Sequence, residues 1–228
     1  MASNRKVIFD LDGTLYTFKG GPSKTFASSY FYEDVKRHIG QYISSRLGVE
    51  LDESEQIIST IDKEYNGELS IGFEKKFGID RYEYYAQTWG IMAPEKYVDV
   101  NQTLKDVMVG YTGKAVLLTA APRVWADKVL SLLGLSEVFG EYIISGEPDI
   151  RKPSQEVFEQ ARDLLGVAYA DITSIGDQHY SDIEPAKKLG MKTIIIHAVQ
   201  DSADERVDTI EEALLLLKGE SDEAKTTN

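Results

Sequence analysis

The sequence predicts an α/β protein, a parallel sheet with helices on both faces, interrupted after its first strand by an inserted α-helical domain. Three observations carry that expectation. After Asn101, short apolar runs alternate with helical patterns, the rhythm of parallel strands joined by crossover helices. A lone apolar run, Val7-Ile8-Phe9, lies far upstream of them. Between the two is a stretch rich in Tyr and Phe whose apolar spacing is helical.

Taken in order, Arg5 to Asp10 reads as a short buried strand running into an acidic turn that contains Gly13. Phe26, Tyr30, Phe31, Val35, Ile39, Tyr42, Ile43 and Leu47 recur every three to four residues, which predicts an amphipathic helix stopped at Gly48. Asp52 to Tyr65 predicts a second helix, and residues 68–90 further short ones. Strands are expected at Ala115–Thr119, Tyr142–Ser145, Ile172–Gly176 and Lys192–His197. Helices are expected at Pro122–Leu133, with Pro at its start, and at Pro153–Leu165, Asp182–Leu189 and Asp208–Leu217. The first strand needs partners from beyond residue 100, so the insertion is a cap and not a leading domain. The expected organisation is a core of residues 1–20 and 101–218, a cap of residues 21–100, and a polar tail, 219–228, that frays.

Composition narrows the chemistry. A content of 42% hydrophobic and 28% charged residues is that of an ordinary soluble domain. No run approaches the roughly 20 apolar residues of a membrane span, and Met1 to Lys6 lacks a signal-peptide pattern, so no membrane partner and a cytoplasmic location are expected. The absence of cysteine excludes disulfides, thiolate sites and cysteine nucleophiles. Three histidines, His38, His179 and His197, argue against a multi-histidine zinc site, which leaves oxygen-ligated magnesium or calcium. A net charge of −13 argues against nucleic-acid binding. It also means that any phosphate must meet local positive charge or a metal.

In open parallel sheets, ligands bind outside the carboxyl ends of the strands. There the sequence places Asp10-Leu11-Asp12-Gly13-Thr14, then Thr119-Ala120-Ala121, then Lys152 before Pro153, then Gly176-Asp177 with Asp182 five residues on. Residues two apart near a strand end share a side, so Asp10 and Asp12 are both expected to face one pocket. One carboxylate suits nucleophilic attack on phosphorus. The other suits protonation of the leaving oxygen and later activation of water. Gly13 permits a sharp turn at close quarters. Asp177 is a natural further oxygen ligand for Mg²⁺. Lys152 would offset charge on the nucleophile, and the Thr119 hydroxyl with the following N–H groups would hold phosphate oxygens.

These four ordered segments resemble the motifs of the haloacid dehalogenase-like superfamily of phosphatases, over about residues 5–20 and 103–217. The insertion has the position and helical character of that family's type-1 cap, and the core would be Rossmann-like. The resemblance implies that Asp10 becomes phosphorylated and that Asp12 is the general acid and base, with Thr119 and Lys152 assisting. It implies phosphate contacts from Asp10, Gly13, Thr14, Thr119, Ala120 and Lys152. It further implies Mg²⁺ held by the Asp10 side chain, the Asp12 carbonyl and Asp177, with Asp182 as a ligand or in the metal's water shell. Two positions depart from the usual pattern: Ala120 stands where many members have Asn, and Asp182 is one residue further from Asp177 than is common.

The expected activity is hydrolysis of a small phosphorylated metabolite: a sugar phosphate, phosphoglycolate or a nucleoside monophosphate. Arg37 and Lys24 are candidate contacts from the cap. A phosphomutase is the nearest alternative. A dehalogenase needs no leaving-group acid, so Asp12 weighs against it, and a receiver-type phospho-accepting module has no inserted lid. His179 is expected to face solvent. Tyr30, Phe31, Tyr32, Tyr84, Tyr85 and Trp89 are expected mostly to pack the cap's own core. No oligomeric state follows from the sequence.

Overall fold

The structure, a computed structural model, describes residues 6–20, 25–101, 103–197 and 202–226. Lys24 lies outside them. The chain divides into two compact units, one of residues 1–18 with 98–228 and one of residues 19–97.

The first unit is built on a six-stranded, wholly parallel sheet in the order β5-β4-β1-β6-β7-β8. Its strands are β1 (Lys6–Phe9), β4 (Ala115–Leu118), β5 (Ile143–Ile144), β6 (Ile172–Gly176), β7 (Lys192–Ile196) and β8 (Glu205–Val207). Register pairs Ile8 with Val116 on one side and with Ser174 on the other. The strand nearest the N-terminus is therefore interior, and its carboxyl end opens beside those of β4 and β6. Side chains alternate across the sheet. Ile8, Val116 and Leu118 pack with Val157, Phe158, Ala161 and Leu165 of α8 (Gln155–Leu165). Phe9 meets Tyr111 and Phe139 edge-on. Helices cover both faces, which is the Rossmann-like fold expected.

Boundaries follow local chemistry. Pro122 is the N-cap of α6 (Arg123–Leu133) and not its first residue. Ser154 caps α8 by accepting from the Glu156 N–H at 3.2 Å, so α8 starts two residues after Pro153. The expected helix from Asp182 is instead a π-turn, His179–Ile183, followed by α9 (Glu184–Lys188). The last helix, α10 (Ile210–Thr226), continues through the polar stretch read as a fraying tail; Glu, Asp, Lys and Ala there tolerate helix well enough to extend it. β8 is an addition the sequence did not announce, since Glu205-Arg206-Val207 shows no apolar run. A second small ladder, β2 (Thr17–Phe18) against β3 (Val98–Asp99), is antiparallel, pairing Thr17 with Asp99 and Phe18 with Val98. Shorter helices, α5 (Leu104–Met108) and α7 (Ser136–Phe139), complete this unit.

The unit of residues 19–97 is helical: α1 (Tyr30–Leu47), α2 (Leu51–Glu64), α3 (Leu69–Phe77) and α4 (Arg81–Thr88). Ser29 caps α1 through the Tyr32 N–H (3.1 Å), and Gly48 ends it at φ 69°, a left-handed conformation that suits glycine. Phe31, Val35, Ile39, Ile43, Ile61, Phe73 and Tyr84 form its core. Trp89 stacks on Phe26 and meets Phe31 edge-on, so most of the aromatics pack inward as expected. Tyr30 does not, at 56% exposed. No described helix is long and apolar enough to cross a membrane.

Candidate active site

Asp10 follows β1 directly, and its N–H donates to the Ile175 carbonyl of β6 (2.9 Å), which extends the ladder one residue and fixes the side chain at the strand's carboxyl end. Lys152 Nζ donates to Asp10 Oδ1 at 2.8 Å, and the Thr14 hydroxyl donates to Asp10 Oδ2 at 3.0 Å. Burial pushes the Asp10 carboxyl up to about 7; the Lys152 charge pulls it down and the Asp182 charge pushes it back up.

Lys152 is the hub of the site. Its ammonium, 6% exposed as a residue, donates also to Asp182 Oδ1 at 2.6 Å. Burial pulls its pKa down, but the Asp10 and Asp182 charges overcome that and hold it above the ordinary lysine value. Asp182 is buried, and its second oxygen accepts from the Gln178 N–H at 2.9 Å. The extra residue between Asp177 and Asp182 is absorbed by the π-turn, where the Glu184 N–H reaches the His179 carbonyl five residues back. Asp182 thereby faces Lys152 and does not cap the following helix, whose N-cap is Ile183. His179 and Tyr180, on the same turn, are exposed.

Asp177 directly follows β6. Its Oδ1 is buried and has no hydrogen-bond partner among the described residues. Burial, then the charges of Asp10 and Asp182, push its carboxyl up to about 9. One oxygen from each of Asp10, Asp177 and Asp182 lies within 4.8 Å of the others. Three carboxylates face one ammonium, and a buried oxygen lacks a donor. That set fits a hard divalent cation held by oxygen. Gly13, at φ 87°, lets the chain pass close by: a Cβ there would lie 2.3 Å from Asp177 Oδ2.

The Asp12 carboxylate is held by donors of its own. Its Oδ1 accepts from the Tyr16 hydroxyl and from Trp125 Nε1, the latter at 2.9 Å, and its carboxylate is not among the three clustered ones. Any metal contact from Asp12 would therefore come from its carbonyl. Burial raises its carboxyl pKa, and the Tyr16 and Trp125 hydrogen bonds work against that rise.

Thr119, buried after β4, accepts from the Ala121 N–H at 3.0 Å. Of the N–H groups expected to hold phosphate, Ala121's is committed to that turn. Ala120 is exposed, with its carbonyl packed where a Cβ on Gly146 would stand 1.9 Å away. Arg37, on the helical unit, pairs with Asp34 at 2.7 Å. Sequence reasoning missed Tyr16 and Trp125. Trp125 looked like a core position of an amphipathic helix, and the one available signal was that a buried indole N–H requires an acceptor.

Residues 5–190 match the family described as haloacid dehalogenase-like hydrolase, and the chain belongs to it. Together with relatives named as phosphatases, this makes it a phosphoric monoester hydrolase. It is 29% identical over 208 residues to the glyceraldehyde 3-phosphate phosphatase of Methanopyrus kandleri, covering 84% of this chain and 83% of that one. Its fold is similar to that of a HAD phosphatase from Thermococcus onnurineus (TM-score 0.63, 22% identity, 95% and 99% of the two chains). It is also similar in fold to a putative beta-phosphoglucomutase from Thermotoga maritima (TM-score 0.54, 19% identity, 93% and 98%).

Proposed function

We propose that the chain is a magnesium-dependent phosphatase that hydrolyses a small phosphomonoester through a phosphoaspartate on Asp10. The observation that carries the reading is a buried Asp10 at the carboxyl end of an interior strand, paired to a buried lysine (2.8 Å) and clustered with two further aspartates. The substrate class is a sugar phosphate, phosphoglycolate or a nucleoside monophosphate. The name of the Methanopyrus kandleri relative adds glyceraldehyde 3-phosphate as a first compound to try. Residues 19–97, inserted between β2 and β3, take the role of the type-1 cap.

Each residue has a derived part. An Asp10 oxygen attacks phosphorus as the bond to the leaving oxygen breaks, and Asp12 delivers its proton to that oxygen. Lys152 holds Asp10 in place and offsets the charge gathered there, and Asp182 holds Lys152. Thr14 steadies the other Asp10 oxygen. Asp12, now a carboxylate, takes a proton from water as the water oxygen bonds to phosphorus, releasing phosphate and Asp10. Phosphate contacts come from the backbone near Gly13, from Thr119 and Ala120, and from Lys152. Mg²⁺ would be held by Asp10, the Asp12 carbonyl and Asp177, with Asp182 nearby; it supplies positive charge against the phosphate and the clustered carboxylates.

The test is phosphate release from p-nitrophenyl phosphate and glyceraldehyde 3-phosphate with Mg²⁺, with EDTA, and with Asp10→Asn. Sustained turnover lost with EDTA, and lost by at least about a thousandfold in Asp10→Asn, is expected. An Asp10→Asn variant of full activity would overturn the assignment. A strict requirement for a bisphosphate activator would indicate a mutase, and a single slow phosphorylation without turnover a receiver-type module.

A further inference from the structure

Asp12 is restrained on one oxygen only. The Tyr16 hydroxyl and Trp125 Nε1 both donate to Oδ1, and no donor among the described residues reaches Oδ2. A carboxyl oxygen has two lone pairs, and two donors occupy both on Oδ1, so a proton on this carboxyl has its place on Oδ2. The clamp is rigid. Trp125 is fully buried and Tyr16 is 4% exposed, and the indole comes from α6, whose start is tied down where the Arg123 N–H donates to Glu147. Tyr16 is fixed through an edge-on contact with Phe18 (5.1 Å). The loop carrying Asp12 is thus joined to a helix 113 residues away by one hydrogen bond of 2.9 Å.

We propose that Trp125 and Tyr16 are positioning residues for proton transfer: by holding Oδ1 they dedicate Oδ2 to the leaving group and then to water. This rests on Asp12 being the acid and base. In the first half-reaction the Asp10 oxygen–phosphorus bond forms, the phosphorus–leaving-oxygen bond breaks, and the Oδ2 proton passes to the departing oxygen. In the second, Oδ2 takes a proton from water as the water oxygen bonds to phosphorus and the Asp10 bond breaks. Loss of either donor frees the carboxyl to rotate, so the penalty falls on substrates whose leaving oxygen needs the proton.

The experiment measures kcat/KM for Trp125→Phe, Tyr16→Phe and Asp12→Asn on two esters. One is an alkyl phosphate, glycerol 3-phosphate, whose departing alkoxide must be protonated. The other is 2,4-dinitrophenyl phosphate, whose phenolate leaves unaided. Both positioning variants should lose about ten- to a hundredfold on the alkyl ester, the worth of one hydrogen bond to an ionised group. On the dinitrophenyl ester they should lose no more than about threefold, with the KM values little changed. A general defect in folding would depress both substrates alike, and equal losses on the two esters, or none, overturn the proposal. Asp12→Asn separates this from its premise. If it too lacks the leaving-group dependence, the acid role of Asp12 is what fails; if it shows the dependence and neither positioning variant does, the clamp is what fails. Tyr16→Phe, which removes one oxygen and keeps the ring, decides the matter should Trp125→Phe not fold.

Discussion

Replacing Lys152 by Ala isolates the energetics of the buried charge cluster. The lysine side chain is 2% exposed and its ammonium lies 2.8 Å from Asp10 and 2.6 Å from Asp182, whose side chains are 10% and 2% exposed. Removing one partner of a buried ion pair strands the other, at a cost of about 3–5 kcal/mol. In a chain of 228 residues, each kcal/mol lowers Tm by about 2–4 °C, so a drop of about 6–20 °C is expected. The size should depend on pH in a definite direction. The Asp10 carboxyl, at about 7, already lies above the ordinary carboxylate value of 3.8 because burial outweighs the pull of Lys152. Without the lysine it rises further. A carboxyl whose folded pKa is raised contributes stability that is fully present below 3.8 and disappears as pH climbs through the folded value. The deficit relative to the parent protein should therefore be larger at pH 8 than at pH 5, where protonated Asp10 no longer needs the lysine. Thermal melts of both proteins in EDTA at the two pH values provide the measurement. Equal deficits at pH 5 and pH 8, or a deficit below about 1 kcal/mol at pH 8, would refute the account of a buried, charge-compensated cluster.

Magnesium at about a hundred times its Kd should stabilise the protein by about 2.7 kcal/mol, or roughly 5–11 °C in Tm. The gain should shrink at pH 5, where protons compete for Asp177 (about 9) and Asp10 (about 7), and vanish in Asp177→Asn. Gly13→Ala should cost about 1–2 kcal/mol from its positive φ. Because the added Cβ falls 2.3 Å from Asp177 Oδ2, the same variant should weaken magnesium binding by about tenfold or more in a thermal-shift titration. An unchanged magnesium response would show that Asp177 moves aside without consequence.

Strand ends were the most legible part of the sequence. Val7-Ile8-Phe9 and Ile172–Gly176 are apolar enough to sit inside a sheet, and the polar residues after them have to emerge on one rim. Asp10, Lys152, Asp177 and Asp182 do converge there. What periodicity conceals is the second use of a core side chain. Trp125 and Val129 follow the apolar spacing of α6, and nothing in that spacing marks the indole N–H as the partner of Asp12. The π-turn at His179–Ile183 was also hidden, although the spacing from Asp177 to Asp182 signalled it: one additional residue has to be accommodated if Asp182 is to reach Lys152 from the end of the same strand. β2, β3 and β8, of two or three residues each, are held by pairing with neighbouring strands and have too few side chains to form a pattern.

The β2–β3 ladder has a bearing on how this chain tolerates change. Where the chain leaves the sheet unit at Phe18 and returns at Val98, the two backbones are bonded neighbours, about 5 Å apart, as adjacent strands are. A gap that narrow can be bridged by a hairpin turn of two to five residues as readily as by the present intervening segment. We expect the core to accept inserts of different length at that point, so that its clustered carboxylates are kept while the insert is exchanged, trimmed or rebuilt.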